Sequence, residues 1–436
     1  MELRWRNTHG LSEGNIALRA QSLRAYTKTM NDIRTRGDWS AVEASLLLPD
    51  DPETLAAVKA LVAEKVGPEL RYIIVIGIGG SNLGTQALYD ALEHTYTHPT
   101  SERPAILFID TTNPVVLRHH IEQVLPTIQS LDEVLLVSIS KSGGTTETIA
   151  NTEILLGAYG QAFGEYRDRF VVITDTDSPY AAAAYQAGVA TLSIPPMVGG
   201  RYSVLSAVGL FPLCALGLEV DQLCRGAADM LQDCLYDDWE HNPAVQSAAI
   251  TALWYESGKT VSDTFLFHSE LESLGKWYRQ LLGESIGKAE TVHGRTRPTG
   301  LVPTVSIGST DLHSVGQLYL GGPSYSLTTF VYSTASEGAL TVPNERVFPD
   351  IAPMVSGKNT HDIMSAIRRG TMAAYQKQSR PYMEVVLDAI APYELGAFMQ
   401  FKMCEMMFLG KLLSVNPFNQ PNVELYKSET RRILEE

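Results

Sequence analysis

Positive charge is scarce in this chain. Against 49 Asp and Glu it has 34 Lys and Arg, a formal net charge of −15. That balance excludes a general binder of nucleic acid or of anionic membranes, and any anionic ligand must be met by positive charge placed locally. Cysteine is scarce too. Cys214, Cys224, Cys234 and Cys404 are four in 436 residues, with no C-x-x-C pairing, so reduced structural thiols are expected rather than disulfides or zinc. No window approaches the roughly 18 uninterrupted apolar residues of a membrane span, and the N-terminal stretch MELRWRNTHGLSEGN has no apolar signal core. No cluster of His, Cys, Asp and Glu has metal-ligand spacing. His119 and His120 are neighbours on an expected helix, cannot face one metal together, and read as structural. There is no low-complexity tract and no obvious repeat.

What is present is an ordinary folding composition, 44 % hydrophobic and 19 % charged, enough to bury a large core over two or three domains. Residues 1–66 read as a helical, polar N-terminal arm. Short β-branched runs without alternation then predict strands buried on both faces of a parallel sheet at Tyr72–Ile76, Ala105–Asp110, Val134–Ser140, Phe170–Asp175 and Ala190–Ile194. Helices dominate from Ser203 to Gly258. A weaker strand–helix set follows, with strands expected at Thr264–His268, Thr304–Ile307, Leu327–Ser333 and Met383–Leu387. Glu394–Leu413 reads as a long helix, and the tail opens on the breaker pair Asn416-Pro417. Repeated strand–helix order implies helices packed on mostly parallel sheets. The expected class is α/β, divided into an arm (1–66), a first α/β domain (67–235), a second (236–390) and a C-terminal helix and tail (391–436).

Ligands in such sheets bind outside the carboxyl ends of the strands, and two glycine-rich loops fall there. The stretch Val134–Thr148, VLLVSISKSGGTTET, runs a strand into Ser140, Lys141, Ser142, Gly143, Gly144, Thr145 and Thr146 and then into a helix. Glycines admit a ligand close to the backbone, orphan helix N–H groups point at it, and hydroxyls and a lysine add donors and charge. The order is not that of a nucleotide P-loop, which favours a phosphorylated metabolite over a nucleoside triphosphate. An ordinary turn with capping hydroxyls stays open on these residues alone. The other loop, VIGIGGSNLG (Val75–Gly84), starts like a dinucleotide fingerprint, but no acidic residue ends a following strand about 20 positions on in the way that fingerprint expects.

Four further segments carry chemistry. In MVGGRYS (Met197–Ser203), Arg201 precedes the apolar run Val204–Leu218. An arginine is not the macrodipole-favoured choice at a helix start, and contact with an anion or a developing oxyanion would explain it. In QLLGESIGK (Gln280–Lys288), Glu284 is expected in a glycine-bounded turn, where a partly desolvated carboxylate can take a proton from carbon. In STDLHSVGQ (Ser309–Gln317), His313 falls just past a strand end and is suited to moving protons between oxygens. NPFNQPNVELYK (Asn416–Lys427) offers Gln420 and Lys427, the latter placed to reach back over the core. Each also has a plain reading as a solvated or packed residue.

Taken in this order, the segments resemble the glucose-6-phosphate isomerase (phosphoglucose isomerase) family, from residue 77 nearly to the end. The short N-terminus and Gly143-Gly144, where some relatives carry bulkier or hydroxylated residues, place the resemblance nearer the compact bacterial branch. It implies two α/β/α sandwich domains of sugar-isomerase (SIS) type, a homodimer, and a cytoplasmic role in glycolysis and gluconeogenesis. It implies a phosphate pocket of Ser140, Ser142 and Thr145 with Lys141 alongside, and sugar contacts from Gly80 and Ser81. Arg201 would steady the enediol, Glu284 would move the proton between C2 and C1, and Gln280 and Gln420 would contact substrate. His313, supplied by the neighbouring subunit, would open the ring with the help of Lys427. The implied reaction interconverts glucose 6-phosphate and fructose 6-phosphate with no metal or organic cofactor. The alternatives are an isomerase of mannose or amino-sugar phosphates and a non-catalytic sugar-phosphate sensor. The retained Glu284, His313 and Arg201 speak against both.

Overall fold

The computed structural model describes every residue except 7, 9, 94–102 and 337. Residues 1–66 hold a three-residue strand, β1 (Glu2–Arg4), and helices α1 (Glu13–Gln21), α2 (Arg24–Arg36) and α3 (Pro52–Lys65). The strand is too short to leave a period-2 signal in the sequence. The segment is less polar than its composition indicated, because Ile16, Ala20, Met30 and Val58 are buried in the main core.

The first sheet is built from β2 (Tyr72–Ile76), α4 (Leu83–Glu93), β3 (Ala105–Ile109), α5 (Pro114–His119), β4 (Val134–Ile139), α6 (Thr146–Phe163), β5 (Phe170–Thr174), α7 (Pro179–Ala187) and β6 (Ala190–Ser193). Its strands are all parallel, in the order β3-β2-β4-β5-β6, with Ile73 opposite Ile106 and Leu135. The continuous apolar runs have a physical cause. Ile73, Val75, Leu135 and Val137 enter one core, while Ile74, Ile76, Leu136 and Val172 enter another on the opposite face. A strand wetted on neither side has no reason to alternate. Strand order reverses between β2 and β4, and at such a switch point the two following loops diverge and leave a crevice. Both glycine-rich loops emerge there.

Helices α8 (Ala207–Ala215), α9 (Val220–Cys234) and α10 (Pro243–Glu256) lead to the second sheet. That part holds β7 (Val261–Leu266), α11 (Glu272–Ile286), β8 (Lys288–Glu290), β9 (Thr296–Thr299), β10 (Val302–Ile307), α12 (Gly316–Gly321), β11 (Ser326–Ser333), α13 (Thr360–Lys377), β12 (Tyr382–Leu387) and α14 (Pro392–Leu413), and α15 (Val423–Leu434) ends the chain. The order is β1-β12-β11-β7-β10, parallel except for β1. The β8–β9 hairpin was not legible in the sequence. β7 starts three residues before the expected Thr264, because the polar Ser262 and Asp263 interrupt its apolar signature while lying inside the sheet.

The main core lies between the sheets and contains Val75 and Val137 from the first and Leu266, Val331 and Val385 from the second. α14 is buried on almost every side. A Cβ added to its Gly396 would lie 2.0 Å from the Leu223 carbonyl oxygen, and one on Gly226 1.9 Å from that of Tyr393, so α9 and α14 touch backbone to backbone. Inside this layer Lys402 and Glu405 form an ion pair of 3.0 Å, with each side chain 1 % exposed. The Tyr278 hydroxyl donates to Glu405 at 2.9 Å, and Ser247 donates to it as well. Pairing and hydrogen bonds together make such burial tolerable.

Asp263 is another buried acid. Its Oδ1 accepts from Thr304 at 2.7 Å and Ser306 at 2.9 Å, while Oδ2 has no partner among the described residues. Burial pushes the carboxyl up to about 6, the two hydroxyls opposing it in part. The folded chain therefore holds the proton that the unfolded chain releases near pH 4. The stabilising contribution of the neutral acid is complete below pH 4 and is lost as pH rises to 6, by roughly 2–3 kcal/mol. In thermal unfolding, the midpoint of Asp263→Asn minus that of the native chain should rise between pH 4 and 6.5 and then level off. A pH-independent difference would refute the raised carboxyl.

Candidate active site

Four segments meet above the switch point. The loop after β2 lies against the turn Gly200–Tyr202, and a Cβ on Gly80 would fall 2.2 Å from the Gly200 carbonyl carbon and 2.6 Å from the Arg201 nitrogen. Only hydrogen at Gly80 allows this approach. Arg201 therefore sits in a short turn, not at the start of the following helix as the sequence implied. Ser206 caps α8 by accepting from the Val208 N–H, which delays the helix to Ala207.

The Arg201 side chain is 1 % exposed. Its Nε donates to Ser285 Oγ at 2.9 Å. One terminal nitrogen donates to Glu284 Oε2 at 3.1 Å and Gln420 Oε1 at 2.8 Å. The other donates to the carbonyls of Pro417 at 2.5 Å and Asn419 at 3.2 Å. All five guanidinium donors are used. Tyr202 braces the same group, its hydroxyl 3.0 Å from Ser285 Oγ and its ring 5.6 Å from that of Phe418.

Glu284 lies in the last turn of α11, not in a turn between glycines. The helix continues through Gly283 to Ile286, because Ser285 and Ile286 pack inward. Its Oε1 accepts from Gln280 Nε2, one helical turn earlier, at 3.1 Å. That amide lies 3.1 Å from where a Gly79 Cβ would be, so Gln280 stands over the first glycine loop. Glu284 is thus held on both oxygens and left one-third exposed. Lys288, to which the sequence assigned no role, donates to the Glu284 carbonyl and, at 2.6 Å, to the Asn419 carbonyl. Its signal was a lysine four residues after Glu284 at a helix C-terminus.

The hydroxyl-rich loop follows β4. Ser140 is fully buried, and its Oγ lies 3.0 Å from Thr145 Oγ1. Thr145 is the N-cap of α6 but does not cap with its side chain; its hydroxyl faces the loop. Ser142 is exposed, and its Oγ accepts from the Gly144 N–H at 3.5 Å. Lys141 donates to the Pro196 carbonyl at 2.6 Å, and burial holds its ammonium below the usual lysine range, Asp175 opposing. Ser81 ends the short turn that opens the first loop. A cavity of about 340 Å³ is lined by Lys141, Gly199, Gly200, Phe418, Asn419 and Gln420. It touches the hydroxyl-rich loop at Lys141 and the Arg201 cluster at Asn419 and Gln420.

Two of the expected residues lie apart from this group. Lys427 is on the exposed helix α15 and pairs with Glu424 at 2.8 Å. It does not reach back over the core, because a carboxylate one turn away on its own helix holds it; that carboxylate lines the cavity rim. His313 is exposed, after the carboxyl end of β10. About 18 Å of helix separates Glu272, after β7, from Glu284. β10 then runs back along the sheet, so His313 returns to the Glu272 end. Within one chain, fold geometry keeps the histidine and the carboxylate apart.

Two doubly wound sheets, with a hydroxyl-rich loop and an arginine–carboxylate pair at one switch point, are the architecture of the phosphosugar-isomerase class, to which known relatives also point. The sequence profile of phosphoglucose isomerase matches residues 56–436. The glucose-6-phosphate isomerase of Carboxydothermus hydrogenoformans is 32 % identical over 89 % of this chain and 84 % of its own length. That of Levilactobacillus brevis is 33 % identical over 94 % and 89 %. Among solved structures, a hypothetical protein from Thermus thermophilus superimposes with a TM-score of 0.88 at 28 % identity, covering 99 % of both chains. A glucose-6-phosphate isomerase from Chlamydia trachomatis shares the fold, with a TM-score of 0.74 at 22 % identity over 99 % of this chain and 80 % of that one. The chain belongs to the phosphoglucose isomerase family.

The contact between Gly80 and Gly200 gives a direct test. Gly80→Ala must displace the Gly200–Tyr202 turn and Arg201 with it, and a misplacement near 1 Å costs about 10²-fold in turnover. Isomerase activity should fall by about that factor with the secondary structure retained by circular dichroism. Unchanged activity would mean that this approach does not position Arg201.

Proposed function

We propose that this chain interconverts D-glucose 6-phosphate and D-fructose 6-phosphate by ring opening and proton transfer through an enediol. The observation that carries the reading is one nitrogen of a buried arginine shared between Glu284 and Gln420, with Gln420 lining a cavity that is also lined by Lys141 of the hydroxyl-rich loop before α6. The relatives carry the name of this activity.

The phosphate is anchored by Ser140, Ser142 and Thr145 with Lys141, far from the reacting carbons. Its binding energy is then available to hold the carbon end in place. Gly80 and Ser81 touch the sugar, and Gln280 and Gln420 orient it. His313 of a second copy moves a proton from the anomeric hydroxyl to the ring oxygen and the ring opens, Lys427 assisting only once it leaves Glu424, its partner here. Glu284 takes the C2 proton and the electrons shift to the carbonyl oxygen O1; a proton then passes from the O2 hydroxyl to O1, and as the C2 carbonyl forms Glu284 returns its proton to C1. Arg201 carries the negative charge of the enediolate on the nitrogen it had shared with Glu284 and Gln420. No metal or organic cofactor is required by these steps.

We read residues 67–235 and 236–390 as two sugar-isomerase-type domains and the active form as a homodimer. The separation of His313 from Glu284 supports the dimer, since a second copy would bring the histidine to this site. Exposed Leu340, Val347, Phe348, Ile351 and Met354 offer that copy an apolar surface. The setting is cytoplasmic glycolysis and gluconeogenesis, where the buried thiols of Cys224, Cys234 and Cys404 stay reduced.

A coupled assay of glucose 6-phosphate formed from fructose 6-phosphate tests the activity. Glu284→Gln should bind fructose 6-phosphate and lose at least about 10³-fold in kcat; near-native turnover would overturn the choice of base. Mixing Glu284→Gln and His313→Ala chains should restore activity on subunit exchange, because one site of the heterodimer then has both groups. No recovery with exchange demonstrated by mass would refute the shared histidine.

A further inference from the structure

We propose that Lys288 is a positioning residue of this site, which clamps the base-bearing end of α11 to the 416–421 segment and places a second positive charge beside Arg201. This rests on the isomerase reading above. Lys288 is 7 % exposed and forms no ion pair among the described residues. Its ammonium is spent on two carbonyls, those of Glu284 and Asn419. The Glu284 carbonyl belongs to the last turn of α11, where backbone acceptors have no helical partner, so the lysine fixes the peptide that carries the catalytic carboxylate. The Asn419 carbonyl also accepts from Arg201, at 3.2 Å. Two cations therefore share one acceptor, adjacent in sequence to Gln420, whose side chain Arg201 holds.

The shared oxygen links three elements that the chain brings together only by folding. Burying a lysine without a carboxylate of its own is unfavourable for stability, and its position fits a role in charge placement. The charged groups acting on it are Arg201, from the Gly200–Tyr202 turn, and Glu284, from α11; the 416–421 segment presents carbonyls. Burial first, then Arg201, push the ammonium down to about 8, with Glu284 opposing. Its charge is complete below that pH and lost above it.

The variants Lys288→Arg, Lys288→Gln and Lys288→Met separate the parts of this role. Glutamine keeps two N–H donors without charge, arginine keeps charge and donors, and methionine keeps only bulk. With fructose 6-phosphate as substrate, kcat should fall in the order native, Arg, Gln, Met, by about 10²-fold at the end, while KM changes by less than about threefold. The ratio of Lys288→Arg to native kcat should rise from pH 7 to 9.5, because a guanidinium keeps its charge there. Near-native kcat in Lys288→Met, or a loss confined to KM, overturns the proposal, as does a ratio flat with pH. If methionine prevents folding, the Arg and Gln variants and the pH ratio decide. A native enzyme inactive on fructose 6-phosphate would instead refute the isomerase reading.

Discussion

The guanidinium of Arg201 is the constraint on which the site depends. It has five donors, and all five end on acceptors from elements distant in sequence: Ser285 and Glu284 on α11, and Pro417, Asn419 and Gln420 in the segment after α14. A buried cation with an unfilled donor would be costly. The α11 end and the 416–420 segment are therefore drawn to one point, and that point is fixed over the first sheet by the contact between Gly80 and Gly200. Glu284 receives its orientation as a consequence.

Electrostatics follows the same plan. The chain carries a net charge of −15, yet its proposed substrate is an anion. The positive groups around the cavity are buried or half-buried, as Arg201, Lys288 and Lys141 are. Low local dielectric strengthens their effect at short range, while solvent screens the surface carboxylates. The chain thus needs little positive charge, provided it is placed where water is excluded. In the proposed reaction Arg201 exchanges protein acceptors for the oxyanion that develops on proton transfer, and the nitrogen shared by Glu284 and Gln420 is the one adjacent to the proposed base.

The first sheet was legible in the sequence almost strand for strand. Strands buried on both faces appear as unbroken Val, Ile and Leu runs, as at Tyr72–Ile76. The second sheet and the separate β8–β9 hairpin were less so, because Asp263 and Ser262 break β7, and β1, β8 and β9 are too short to give a period. Motif order picked out Arg201, Glu284, Gln280 and Gln420, which the fold brings into contact. It did not point to Lys288, Ser285 and Tyr202, which join that cluster only through tertiary contacts. Glu284 was misread as a turn residue because flanking glycines signal a break, whereas packing of Ser285 and Ile286 carries α11 through Gly283. Lys427 was expected over the core, and its local pairing with Glu424 has no distinctive mark in the sequence.

The most direct measurement is kcat of Arg201→Lys with fructose 6-phosphate, alongside its near-ultraviolet circular dichroism. Lysine keeps the charge but has three donors for five acceptors, on a single point of attachment. Turnover is expected to drop by at least about 10²-fold in a folded protein, because Glu284 and Gln420 lose their common anchor. Turnover within about threefold of native would contradict the central role given to this guanidinium.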